Sequence, residues 1–588
     1  TLRAAGDKIA IDGNSVIAID GNAGGGSNVI IGDSAGVDLI GSSGTYNTII
    51  GREAGYKLSS QSGNIHIGWY TGNTSENPQN TFIGNQAGRY LDNGTGYNVA
   101  LGNHALQANS GGGNDASDNT AIGAGALQNI TDGDNNTAVG RTAGASLTTG
   151  GNNVFVGREA SYLAASGSGN VAVGYQSGYR NAGQSNTVFI GNAAGYNSTT
   201  GASGIGIGYK AGYAQRTQGN WIAIGYEAMG GTAVTNEAAG EAIGYRSMFA
   251  AMDGSSGTAL GNSALENLVG QHSIAIGSES GRYASGSYNT FVGGSAGKGG
   301  TTSAPYSSGA SNTAVGYLAL TSFTTGGTNT AVGVRAGTTL TTGTANVIVG
   351  YDTGRFLTTA EANTLLGYGA GVNVTTGNAN TLVGEVAGYR VQDGQNNTHV
   401  GARAGYYASG SYNTFVGKSA GLGGTTSAPY SSGASNTAVG YLALAGFTTG
   451  QLNVAIGQSA GTAMTTANYN TIVGAWAGDA LTSAGYNTVL GFQAFSDAST
   501  DSNHTVAIGY TAGKAITSGD GNIMIGASAG NTTTDVDKTV IIGQNAGQAN
   551  MTSGADGTIA IGFEAGKAIT SGAQNIAIGY QALDALTE

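Results

Sequence analysis

The stretch Asn312-Thr313-Ala314-Val315-Gly316-Tyr317-Leu318-Ala319-Leu320, followed by Phe323-Thr324-Thr325-Gly326, decides the fold, because nearly the whole chain restates it. We take as the anchor of each repeat one glycine that follows Ile, Val or Leu, from Gly32, Gly51 and Gly68 to Gly543, Gly562 and Gly579. The chain holds 32 anchors, and 19 of the 31 intervals between them are 17 residues long. Ile, Val or Leu precedes the anchor in all 32 copies, and Ala, Ser or Thr stands three residues after it in every copy. Asn stands four residues before the anchor in 23 copies. A period this regular predicts a solenoid in which each copy is one turn.

Composition narrows the alternatives. The 588 residues include 108 Gly and three Pro, and only 9% are charged, so neither a collagen pattern nor a charged disordered chain fits. The net charge of −12 offers phosphates no basic stripe, which argues against nucleic acid. No cysteine is present for a disulfide or a thiolate metal site, and no apolar run approaches membrane-spanning length. The chain opens at Thr1 without a signal segment, which is expected of a processed product or a fragment.

Each turn can be read from its pattern. β-Branched or aliphatic residues three and one before the anchor predict a short β-strand with that pair on one face. The anchor glycine turns a corner where a Cβ would clash. Ala three beyond it shares parity with Leu147, Leu340, Val374, Phe447 and Ile516 seven beyond, which predicts a second strand facing the first. Thr-Thr-Gly then turns the chain back, and stacked Asn side chains can form an amide ladder. The expectation is an all-β parallel β-roll, or β-solenoid, of about 32 turns.

The residue two before the anchor should be polar on a one-sided strand, yet it is apolar in 29 of 32 copies. Strands apolar on both faces are covered on both. We therefore expect Phe82, Phe155, Phe189, Phe291, Leu365 and Phe415 to form an oligomer interface. His66, Gly206 and His399 are the exceptions. Tyr follows the anchor in ten copies, and Tyr175, Tyr209, Tyr226 and Tyr245 are expected on an outer edge. There they either contact sugar rings as receptor-binding residues or stack into a stiffening corner ladder.

Residues 1–27 read as an irregular N-terminal cap and residues 28–588 as one continuous repeat array. Residues 283–320 and 407–444 are almost identical, which suggests duplication of a block. Each copy holds a 23-residue interval with Pro305 or Pro429, so a loop is expected to leave the coil there.

The N-T-A-V-G-Y-x-A-L/G pattern followed by T-T-G resembles the repeats of phage tail-fibre proteins and related bacterial surface proteins. It is similar, more distantly, to the head of trimeric autotransporter adhesins. The resemblance covers about 28–588 and implies a homotrimeric parallel β-roll in an extracellular attachment fibre, on a virion tail or a cell surface, that meets a host glycan or protein receptor. In such a trimer the Phe layers would lie at the interface, and His66 and His399 of three chains would converge on an axis able to hold an ion. The alternatives are a cell-surface trimeric adhesin, a filament that assembles end to end, and a polysaccharide depolymerase. Within these 588 residues no heptad stalk, membrane-anchor barrel or virion-docking domain is recognised beside the repeats.

Little in the sequence suggests catalysis. The histidines His66, His104, His272, His399 and His504 are isolated from one another, without metal-ligand spacing. Paired acids, Asp132 with Asp134 and Asp535 with Asp537, do not recur in neighbouring coils, as a carboxylate pair for glycoside hydrolysis would suggest. Neither a calcium-roll signature nor a phosphate loop occurs. No cofactor, catalytic residue, nucleic-acid partner or membrane insertion is expected.

Overall fold

The computed structural model describes residues 8–11, 15–21, 27–40, 42–111, 113–199, 203–215, 220–231, 239–250, 256–497 and 502–585. The chain is an all-β parallel β-solenoid of about 31 turns, in two compact units, Thr1–Tyr288 and Asn289–Glu588. Strands β1 (Lys8–Ile11) and β2 (Ser15–Gly21) pair antiparallel, and β2 pairs antiparallel with β3 (Ser27–Asp33). An antiparallel strand thus occupies an edge that would otherwise be open for pairing. Within each unit pairing from β3 onward is parallel and in register, for example Val154↔Val171, Phe155↔Ala172 and Val156↔Val173. The long intervals do not disturb it. Phe291 still pairs with Ala314 and Phe415 with Ala438, so the extra residues leave as a loop.

Most coils carry one three-residue strand rather than the two strands expected. The side beyond the anchor is a run of turns. Leu318 at φ +58° and Leu320 at φ +47° occupy the left-handed region, as do their counterparts in neighbouring coils. Two such residues in three reverse the backbone too often for a strand, which needs φ near −120°. The coils are nevertheless bonded together on that side. Gly371 N–H donates to Ala387 O (2.9 Å), and Gly388 N–H to Ala404 O (2.9 Å). The Thr-Thr-Gly corner adds a hydroxyl ladder, with Thr324, Thr341 and Thr358 Oγ1 each donating to the next coil's threonine carbonyl at 3.2, 3.0 and 3.1 Å.

The recurrent asparagines form the predicted ladder. Asn346 Nδ2 donates to Asn329 Oδ1 (3.0 Å) and to Ala360 O (2.8 Å), while Asn346 Oδ1 accepts the Asn363 N–H (3.0 Å). These side chains are fully buried, where an unpaired amide would cost a few kcal/mol, so every donor and acceptor they bring must be matched.

The same burial corrects the expected faces of the strand. Asn sits two residues before the position expected at an interface, and side chains two apart point the same way. Phe82, Phe155, Phe189, Phe291, Leu365 and Phe415 accordingly lie inside their own coil, each with no exposed surface. Phe82 and Phe155 share one buried cluster with Ala87, Leu91, Ala160 and Ala164, and Phe291 and Phe415 lie against Phe323 and Phe447 of the next coil at 5.6 and 5.4 Å. Burying one such side chain stabilises by about 1.5–3 kcal/mol.

Volumes inside the coil compensate. Ala138, Ala314 and Ala438 face Leu147, Phe323 and Phe447, whereas Phe155, Phe189, Phe291 and Phe415 face Ala164, Ser198, Gly300 and Gly424. The residue four beyond the anchor follows the same rule. Leu320 and Leu444 accompany Ala314 and Ala438. Gly88 accompanies Phe82, whose ring leaves only 2.4 Å for a Cβ there. Where both of the first two positions are large, as in Phe82 with Leu91, Ile49 with Leu58 and Ile348 with Leu357, the third is Gly88, Gly55 or Gly354, so the volume inside the coil stays bounded.

Candidate functional site

The outward face of each strand is formed by the residues three and one before the anchor. None of these is buried among the described residues. The row nearest the anchor is Ile, Val or Leu throughout, and Ile83, Ile190, Leu260, Leu366 and Leu490 are 39, 38, 46, 45 and 47% exposed. The companion row alternates Thr with Val and Ile, and its one charged member is Glu241. Its carboxylate accepts a hydrogen bond from Thr258 Oγ1 (2.8 Å), beside an open hollow of about 480 Å³ that also borders His272 and Ile274. His272 Nδ1 and Ser256 Oγ are 3.1 Å apart. The Glu241–Thr258 and Ser256–His272 pairs are separate contacts and make no proton relay.

His66 and His399 are sealed inside their coils rather than set on an axis between chains. Each ring stacks on a phenylalanine of the next coil, His66 on Phe82 at 4.9 Å and His399 on Phe415 at 4.8 Å. Neither ring nitrogen of either histidine has a hydrogen-bond partner. Burial in an apolar sleeve disfavours the imidazolium and lowers both pKa values to about 3. Each ring thus faces the inside of its own coil.

The tyrosines expected outside are outside. Tyr209, Tyr226 and Tyr245 stack one per coil with centroids 4.9 and 5.3 Å apart, and their edges face solvent. Stacking covers the ring faces, leaving hydroxyl edges rather than open platforms. Tyr175 stands apart from that stack, with the Arg158 guanidinium 5.5 Å from its ring centroid.

A second tyrosine series, five residues beyond the anchor, was not singled out from the sequence. Tyr162, Tyr179, Tyr196 and Tyr213 stack at 5.4, 4.9 and 5.2 Å, and Tyr389 stacks on Tyr406 at 4.9 Å. Its signal was a 17-residue period of aromatics displaced by four positions from the series beside the anchor.

The paired acids serve the loops. Asp134 Oδ1 accepts the Ser117 N–H (2.8 Å), and Asp537 Oδ1 accepts the Asp520 N–H (2.7 Å). Asp535 Oδ1 accepts Ser518 Oγ (2.8 Å), and Asp132 Oδ2 accepts Thr131 Oγ1 (3.4 Å). Among the described residues no helix is long and apolar enough to cross a membrane. Comparison with family models, with curated proteins and with solved structures returned no match.

Proposed function

We propose that the chain is the shaft of an extracellular attachment fibre of the phage tail-fibre kind, built from three copies and carrying surface groups that meet a host receptor. The observation that supports this most is the outward aliphatic row. Within Asn289–Glu588 alone it is a strip of aliphatic surface that runs unburied from Val292 to Ile578, with Leu366, Ile456, Leu490 and Ile578 at 45, 38, 47 and 63% exposed. Monomeric soluble proteins rarely expose a contiguous patch of that extent. A partner covering it evenly must share its period, and a second copy of this chain does. Three copies around an axis would make every row equivalent and leave no unmatched one. The interface thus moves from the Phe layers to the residues beside them, such as Ile190 and Leu366.

Sedimentation tests this reading. The unmodified chain should run as a trimer. Ile190→Asp with Ile207→Asp should give a monomer whose circular dichroism is unchanged, because both side chains point away from the coil. A folded, monodisperse monomer of the unmodified chain would overturn the assembly. Failure of the trimer to bind any cell surface would remove the attachment role.

A further inference from the structure

The two nearly identical blocks differ in the residues that immediately precede them. Just before the first block Arg282 is held by Glu266 and Glu279, both at 2.7 Å, so its charge is neutralised within the chain. Counted from the anchors, the corresponding positions of the second block are Tyr406, Tyr389 and Arg403. Both acids are gone, and Arg390 stands next to Tyr389. Among the described residues neither Arg390 nor Arg403 forms an ion pair. Glu385, exposed on the neighbouring coil, pairs with neither.

What surrounds these cations is aromatic. The Arg390 guanidinium carbon lies 4.9 Å from the Tyr389 ring centroid and 5.2 Å from that of Tyr430. Its Nε is buried and makes no hydrogen bond. Arg403 lies 5.3 Å from the Tyr406 centroid. Tyr407 meets Tyr406 edge-on at 4.6 Å and faces Tyr430 at 6.4 Å. The loop that brings Tyr430 is pinned to the coil, with Ser431 N–H donating to Tyr407 O (3.0 Å). Two guanidiniums in a chain of net charge −12 are thus fixed beside four half-buried tyrosines, without an internal counter-ion.

We propose that this cluster binds a carboxylate-bearing sugar of an acidic polysaccharide. A guanidinium fork matches a carboxylate bidentately, and tyrosines supply ring surface for a pyranose with hydroxyls for its oxygens. A nucleic acid fits this site less well, because it draws its affinity from many phosphate contacts along a basic surface, whereas one carboxylate-bearing sugar needs only a local guanidinium and ring surface. Its biological use rests on the attachment role proposed above, but the site lies within one chain and does not require the trimer.

The test is calorimetric titration of the full chain with a hexameric uronate oligosaccharide, its neutral analogue, a sulfated oligosaccharide and a poly-glutamate peptide, with sedimentation run on the same samples. The uronate should bind, with the neutral sugar at least tenfold weaker. Arg390→Gln and Arg403→Gln should each weaken uronate binding at least tenfold. The triple variant Tyr389→Glu, Arg403→Glu, Tyr406→Arg rebuilds the ion pairs of the first block, and it should abolish binding while keeping the same sedimentation. Equal affinity for the neutral sugar, tighter binding of the sulfated sugar or the peptide, or no response to the arginine substitutions would overturn the proposal. Uronate binding by a monomeric chain would uphold this site while the trimer failed.

Discussion

At Gly350 the backbone adopts φ +135°, and a Cβ there would lie 2.4 Å from the carbonyl oxygen of Gly367 on the next coil. Gly350→Ala should therefore destabilise by about 3 kcal/mol or more, since both the φ and the contact are forbidden. Gly111 has nothing within 4 Å of its notional Cβ, so Gly111→Ala should be neutral or stabilise by a few tenths to about 1 kcal/mol. Chemical denaturation of the two variants checks both.

His66 and His399 make a second prediction at this scale. Their pKa values lie near 3 in the fold and about 6.5 in the unfolded chain. The unfolded chain therefore binds more protons below pH 6.5. The stability of each neutral imidazole is fully present above that pH and is lost as pH falls toward 3, by about 1.4 kcal/mol per unit for each ring. Between pH 6.5 and 5, before most carboxylates titrate, His66→Leu with His399→Leu should flatten the decline in denaturation midpoint. An unchanged slope would show that the rings are not sealed.

Within one coil, packing couples positions that the sequence separates by nine residues. Ala331 faces Leu340, with Gly337 between them in the chain; Phe189, Gly195 and Ser198 occupy the same three places in another coil. Ala331→Phe alone should overpack by about 1–3 kcal/mol, and Leu340→Ser alone should leave a cavity costing about 2–5 kcal/mol. Together they rebuild the Phe189 arrangement, and the double variant should recover at least about 1 kcal/mol over the sum of the two. The asparagine ladder is an element of the same kind. Asn346→Ala strands the Asn363 N–H and the Ala360 carbonyl and should cost about 2–4 kcal/mol. Asn346→Thr should be milder, because Thr187 already works in this place, donating to Asn170 Oδ1 at 2.7 Å. Denaturation midpoints of the two variants give the comparison.

On the scale of the molecule, each coil contacts its immediate neighbours, so stability is a sum of coils and interfaces rather than a property of one core. Phe155→Ala should cost about 3–5 kcal/mol and open a local segment. Hydrogen exchange should show lost protection around residues 137–173 and unchanged protection around residues 437–475. Uniform loss along the chain would mean that the two units unfold as one cooperative body.

The amino-acid sequence by itself determined the period, the anchor, the parallel stacking and the asparagine ladder. Each rests on backbone geometry that recurs every 17 residues and needs no knowledge of which face is inside. The tyrosines beside the anchor were legible as outer residues for the same reason. The strand faces were misread because aliphatic residues stand on both, and composition alone cannot say which side closes. The tertiary structure decided it through volume. Phe155 stands with Ala164 and Ala314 with Phe323, and in many coils that exchange was present in the sequence as a correlation nine residues apart. The structure also decided that one side of the coil is turns, because left-handed residues such as Leu318 and Leu320 are ordinary leucines until the chain closes around them. The Arg390–Tyr430 cluster lay beyond sequence reasoning for a further reason: its members span 42 positions and are joined only when a loop folds back onto a coil.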